Sequence, residues 1–307
     1  MSLLPSDNLQ TARLKKIATT ASVSLAVSLT VIKFAASLYT GSLAILSSMV
    51  DSLSDIFSSL ITFVAVRFSS QPASSGHRYG YGKAEALSAL IQSAFIAGSG
   101  VFVIYEGIHR FVSPRPVEDS GFGIFIMLVS MAATFGLIVF QKYVIRKTNS
   151  LAVAADSMHY MVDMATNLSI VISLVMVKVF DVYWFDTLAA LFVSVYLLFN
   201  AYKIACDAIS LLMDRELSEE VRQSVITLVN NCGFCRGIHD LRTRDLGGIY
   251  MFEFHLELEG TLSLYQAHEL TDIVEREVKE KFPNSQVIIH QDPAGVDEER
   301  LDNLLVP

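Results

Sequence analysis

Six long apolar runs occupy the first two thirds of the chain, near residues 17 to 38, 42 to 66, 85 to 109, 121 to 143, 150 to 178 and 185 to 207. Each has about 20 residues or more, enough for a helix rising 1.5 Å per residue to cross roughly 30 Å of hydrocarbon. The runs predict six membrane helices. From Asp214 onward the pattern shortens. Residues 216 to 231 read as a helix, and 236 to 246 as an extended segment that Gly247 and Gly248 turn. "MFEFHLELE" then alternates, with Phe252, Phe254, Leu256 and Leu258 on one face and Glu253, His255, Glu257 and Glu259 on the other. Residues 263 to 282 carry helical periodicity opened by Ser263, and "QVIIHQD" reads as a closing strand. The α-β-β-α-β order predicts a small ferredoxin-like α+β domain. The expected division is 1–213, a transmembrane domain, and 214–307, a soluble one.

Composition agrees with a lipid solvent for the first part. Of 307 residues, 52% are hydrophobic and only 18% charged, with a mean hydropathy of +0.46, against about 25% charged in ordinary soluble domains. Basic residues sort by loop. Arg13, Lys15 and Lys16 precede the first run, Arg67, Arg78 and Lys83 separate the second from the third, and Lys142, Arg146 and Lys147 separate the fourth from the fifth. The alternate loops hold little beyond Arg110, Arg115 and Lys178. This bias predicts a multi-pass protein with both termini and the soluble domain in the cytoplasm, and the inner membrane is its expected location. Residues 1 to 16 do not read as a signal peptide, because the apolar run that follows is too long for an h-region.

Several polar residues break the membrane pattern. "SSMVDSLSDIF" sets Asp51 and Asp55 four apart in the second run, and "DSMHYMVD" sets Asp156, His159 and Asp163 in the fifth. Residues four apart share a helix face. An ionised carboxylate in hydrocarbon is costly unless paired, so such groups point by default to a transport or proton path. Asp51, Asp55, His159 and Asp163 together offer three carboxylate oxygens and one imidazole nitrogen, a donor set suited to Zn²⁺, with Fe²⁺, Mn²⁺ and Cd²⁺ also compatible. Asp156, one turn before His159, is expected to point elsewhere. In the soluble domain, His239, His255, His268 and His290, with Asp292 on the His290 strand face, predict a second metal site. The net charge of −8 favours cations, and no nucleic-acid partner is expected.

Cys206, Cys232 and Cys235 are expected to be reduced thiols, the lone "CGFC" being a weak redox signal. With no phosphate-binding glycine loop, nucleophile elbow or HExxH, the chain is not expected to be an enzyme, an ATP-driven pump or a user of an organic cofactor. Three classes remain: a metal/proton antiporter, a membrane-anchored metal sensor or assembly factor working through its soluble domain, and a proton-coupled carrier of organic cations. An anchor would avoid intramembrane carboxylates, and His159 with the soluble histidines favours metal.

"TGSLAILSSMVDSLSDIFSSL", "GHRYGYGKAEALSAL", "DSMHYMVDMATN", "HDLRTR" and "VIIHQDP" together resemble the cation diffusion facilitator family, in particular its bacterial zinc and ferrous-iron efflux branch. The resemblance covers nearly the whole chain. It implies a homodimer in the lipid bilayer, six membrane helices per protomer, and export of a cytoplasmic divalent cation in exchange for protons by alternating access. It carries the family's transport ligands onto Asp51, Asp55, His159 and Asp163. It carries a cytoplasmic two-metal site onto His239, His255, His268, His290 and Asp292, with Asp292 bridging, and a charged pair at the dimer junction onto Lys83 and Asp214. A further family site, in the loop after the second helix, maps onto Ser74, His77 and Tyr81. One imidazole with two hydroxyls is a poor zinc site, so this site is expected to be absent or weak.

Overall fold

The computed structural model describes residues 6–40, 43–112, 121–180, 185–296 and 300–304. It divides into two compact units, residues 1–72 with 84–209, and residues 73–83 with 210–307. The short segment 73–83 therefore belongs with the second unit although it lies between membrane helices in sequence.

The first unit is built from six long helices: α1 (Ser6–Thr40), α2 (Leu43–Ser69), α3 (Ala84–Val112), α4 (Gly121–Thr148), α5 (Leu151–Phe180) and α6 (Phe185–Leu212). Among the described residues, five of these (all but α5) contain a stretch long and apolar enough to cross a membrane. α5 has 30 residues and carries the intramembrane polar cluster. The helices pack through small residues. Ala18, Ser22 and Ala26 recur every fourth residue on the buried face of α1, and Ala18 meets Val66, Val144, Ala152 and Val153 from three other helices. Large apolar side chains such as Val31, Phe34, Phe102, Phe192 and Phe199 stay exposed. Small residues inside and bulky ones outside is the arrangement expected where lipid tails are as apolar as the side chains and close backbone approach drives association.

The second unit has the order α7 (Glu219–Asn230), β1 (Gly237–Asp245), β2 (Tyr250–Leu258), α8 (Leu264–Lys281) and β3 (Ser285–Pro293), with a 3-10 turn at Leu301–Asn303. β2 is central, antiparallel to β1 and parallel to β3. This is the α-β-β-α-β sandwich that the sequence pattern predicts. The apolar face of β2, Phe252, Phe254, Leu256 and Leu258, is buried against Val225 and Val229 of α7 and Val274 and Val278 of α8. Ser263 caps α8 through a capping box: its side chain accepts from the Gln266 backbone N–H, and the Gln266 side chain accepts in return from the Ser263 N–H. The β1–β2 register shifts between His239 and Arg242, where Asp240 takes a positive φ of 53°. This bulge turns the Asp240 carboxylate back beside His239.

Candidate metal sites

In the membrane unit, α2 supplies Asp55, and α5 supplies His159 and Asp163 on one face. His159 Nε2 lies 3.2 Å from Asp55 Oδ1 and 3.7 Å from Asp163 Oδ2. One ligand atom from each of the three lies within 4.8 Å of the others. Tetrahedral zinc with bonds near 2.05 Å separates its ligand atoms by about 3.3 Å, so a small divalent cation fits with little movement. Asp51 stands one turn before Asp55 on α2; its side chain lies outside the described residues. Exposure rises along α5, from fully buried Asp156 through His159 to Asp163, whose side chain is 37% exposed.

Asp156 turns away from this cluster, as expected. Its Oδ2 accepts from Ser22 Oγ of α1 at 2.6 Å and from Gln141 Nε2 of α4 at 2.7 Å, and its Oδ1 accepts from Ser59 Oγ of α2 at 3.3 Å. Tyr160 Oη closes the group, 2.8 Å from Ser59 Oγ. A second buried carboxylate, Glu85 at the start of α3, accepts from Lys15 Nζ at 2.8 Å, from Ser69 Oγ at 2.9 Å and from the Ser150 hydroxyl. The two carboxylates tie five helices together at the end of the bundle where α3 and α5 begin. Nothing in the local sequence around Glu85 marks its partners, which come from far along the chain.

In the second unit the sheet register builds the other cluster. His239 of β1 pairs across to His255 of β2, and His255 to His290 of β3, so three imidazoles stand in one row on the face opposite the core. One residue pair along the same face, Asp292 stands opposite Glu257. Asp292 Oδ2 lies 2.7 Å from His255 Nδ1 and 3.5 Å from His239 Nε2, and Oδ1 lies 3.2 Å from His290 Nε2. One carboxylate thus reaches three imidazoles with both oxygens, the arrangement a bridging ligand between two cations needs. Potential ligand atoms fall into two overlapping groups, His239–Asp240–His255 and His255–His290–Asp292. Nitrogen and carboxylate donors of this kind fit zinc.

Two nearby carboxylates escaped the sequence reading. Glu257 Oε1 lies 3.8 Å from His239 Nε2 and accepts from Arg300 at 2.5 Å. Its position two residues after His255 on an alternating strand was the available signal. Asp240 Oδ2 lies 3.8 Å from His239 Nδ1, and only the bulge reveals it. Burial works to raise the Asp240 pKa, but hydrogen bonds from the Asp302 and Leu301 backbone N–H groups outweigh it and hold the carboxyl below its ordinary value. His268 joins neither group; it is exposed on α8, 3.7 Å from its own Asp272.

Of the remaining expected residues, Lys83 Nζ and Asp214 Oδ1 lie 2.7 Å apart, with Arg244 also 3.5 Å from Asp214. Ser74, His77 and Tyr81 gather on the surface: Ser74 Oγ is 2.9 Å from Tyr81 Oη, and the His77 ring lies 4.5 Å from that of Tyr81. They offer one imidazole and hydroxyls that bond each other, and they are not among the metal-competent groups of the described residues. Burial and the neighbouring Cys232 push the Cys235 thiol pKa well up, which makes it a poor nucleophile.

The sequence matches the cation efflux transmembrane domain over residues 19–213 and the cation efflux protein cytoplasmic domain over 217–294. It is 43% identical over 289 residues to the cation-efflux pump FieF of Klebsiella pneumoniae, covering 92% of this chain and 94% of that one. It is 42% identical over 289 residues to the protein of the same name from an Escherichia coli strain, with coverages of 92% and 94%. For the Shewanella oneidensis FieF the identity is 41% over 282 residues, with coverages of 92% and 95%. Matched in both its membrane and its soluble part, the chain belongs to the cation diffusion facilitator family of multi-pass membrane cation-efflux proteins.

Proposed function

We propose that the protein is a homodimeric antiporter of the inner membrane that exports Zn²⁺, with Fe²⁺, Cd²⁺ and Mn²⁺ as further substrates, in exchange for protons. The observation that carries this reading is the meeting of Asp55, His159 and Asp163 from two membrane helices at ligand distance. Relatives named cation-efflux pumps over nearly their whole length support the direction. Asp51, one turn from Asp55, supplies the fourth ligand. A cation binds the deprotonated carboxylates and the neutral imidazole, so loading releases protons and protonation releases the cation. With protons flowing inward, the net movement of metal is outward.

Both termini and the soluble unit face the cytoplasm, as the basic loops argue. There the row His239, His255 and His290 with Asp292 holds resident zinc, and Lys83 with Asp214 steadies the junction at which two protomers meet. A sensor that used the membrane only as an anchor would leave the intramembrane ligands without a role. The test is metal uptake into sealed proteoliposomes with an imposed pH gradient, run across zinc, iron, cadmium and manganese. Gradient-dependent uptake of zinc is expected; if no divalent ion moves, the antiporter reading fails.

A further inference from the structure

We propose that the buried polar seam between α2, α3 and α5 is the hydrated inner half of the translocation route, and that Glu85 is the carboxylate that receives the incoming divalent cation at its mouth. The proposal rests on the transport reading above and on the cytoplasmic placement of the ends that Glu85 joins.

Glu85, Ser88 and Gln92 recur at intervals of three and four along α3, and all three are buried. α2 runs past them from Asp55 through Ser58 and Thr62 to Ser69, and the chain runs the opposite way from Ser150, just before α5, to His159. At one end, Ser69 and Ser150 both donate to Glu85. Further in, the Gln92 amide nitrogen reaches the Ser58 carbonyl oxygen at 3.3 Å and the Thr62 hydroxyl. Ser58 is then one turn from Asp55 on the same face of α2. At the next turn of α3, Ile96 packs with Val162, Leu197 and Ala201 and the polar face ends.

Three atoms on this seam, Ser58 Oγ, Ser88 Oγ and Gln92 Oε1, are buried and make no hydrogen bond among the described residues. Their residues are at most 3% exposed. An orphaned polar group is costly in protein and more so among hydrocarbon, where lipid supplies no partner. The Asp156 group provides the contrast: there Ser22, Ser59 and Tyr160 hydrogen-bond to one another and to the carboxylate, with Gln141 Oε1 and the adjacent Ser157 Oγ left over. In that group the carboxylate and three hydroxyls are partnered by protein. Those on the seam are arranged for water or for the hydration shell of a passing cation.

At the mouth, Glu85 is held by Lys15, whose ammonium makes the buried carboxylate tolerable while no cation is bound. A divalent cation brings twice that charge to the same oxygens. By displacing Lys15 it would loosen the contacts Glu85 makes to α1, α2 and α5 together. Carboxylate and hydroxyl oxygens form a weak site for a transition metal, suited to handing it on to the imidazole and carboxylates beyond.

The test replaces Cys206, Cys232 and Cys235 with serine and introduces Ser58→Cys or Ser88→Cys singly in full-length protein in sealed vesicles. A membrane-impermeant cationic methanethiosulfonate is then applied from the side of the soluble unit. The seam thiols should react at least tenfold faster than Ile91→Cys and Phe95→Cys, which flank Gln92 on the exposed side of α3, and zinc should slow them. Seam thiols no faster than these controls, in vesicles that still transport zinc, would overturn the proposal. Glu85→Gln should raise the zinc KM from that side about tenfold and leave kcat within about twofold. An unchanged KM would remove Glu85 from the route. If the cysteine-free parent moves no metal at all, the transport reading itself fails and this inference with it.

Discussion

Replacing Asp156 with alanine or with asparagine separates its role as a hydrogen-bond hub from any role of its charge. In the native arrangement the carboxylate accepts from Gln141, Ser22 and Ser59, which belong to α4, α1 and α2. Alanine would leave Ser22 and Ser59 with each other at 2.8 Å and Ser59 with Tyr160, so their hydroxyls keep partners. Gln141 would lose the acceptor for its amide nitrogen while its oxygen already lacks a donor among the described residues. One newly orphaned buried donor costs about 1–3 kcal/mol. The space left by the carboxyl group, about 30 Å³ at about 24 cal/mol per Å³, adds about 0.7 kcal/mol. The sum is about 2–4 kcal/mol, or about 4–16 °C of melting temperature for a unit of this size. Asparagine restores an acceptor for Gln141 and an amide the serine hydroxyls can accept from, so it should cost less than about 1 kcal/mol. Thermal unfolding of the purified protein in detergent, followed by intrinsic fluorescence and size exclusion, reads both. Equal destabilisation by the two variants would show that the ionised charge holds the helices, and no loss in Asp156→Ala would show that the hub contributes nothing.

Elemental analysis of metal-saturated protein should give about three zinc ions per chain, one in the membrane and two on the sheet face; Asp292→Ala should lower the count, and His77→Ala should leave both metal content and transport rate unchanged. Asp240→Asn tolerates the positive φ at the bulge but loses the charge that the Asp302 and Leu301 N–H groups stabilise, and should cost about 1 kcal/mol at neutral pH. Because the folded pKa lies below the unfolded one, the native carboxylate contributes fully above the unfolded value of about 3.9. That contribution declines as pH falls from the unfolded value and is gone once pH has passed through the folded one, so in urea titrations monitored by circular dichroism the gap between the two proteins should start to narrow near the unfolded value and close in stronger acid.

The membrane helices were legible because burial in lipid demands long apolar runs; each predicted run corresponds to one of α1–α6, its start no more than one residue outside the helix. The sheet was legible from the alternation through Phe252, Phe254, Leu256 and Leu258, and α8 from Ser263. The pairing of Asp55 with His159 follows from two helical faces that each carried an interrupted pattern. What stayed hidden depends on contacts across long stretches of sequence. Lys15, Ser69 and Ser150 meet Glu85 only after the helices pack, and Arg300 meets Glu257 only once the end of the chain returns to β2. Asp240 was hidden for a different reason: a strict alternation has no place for a bulge, and a positive φ at an aspartate leaves no mark in composition. His268 shows the reverse, a residue type matched to metal chemistry whose helix places it beside Asp272 rather than with the imidazole row.

The central claim, that one intramembrane site exchanges metal for protons, is tested most directly by recording proton and zinc fluxes together in the same sealed vesicles. A pH-sensitive dye and a zinc indicator would follow the wild-type protein, Asp55→Asn and His159→Ala after a zinc jump. The wild-type protein should move protons opposite to zinc with matching time courses, and both variants should lose both fluxes while keeping their fold. Zinc movement with no accompanying proton flux, or undiminished exchange in Asp55→Asn, would contradict it.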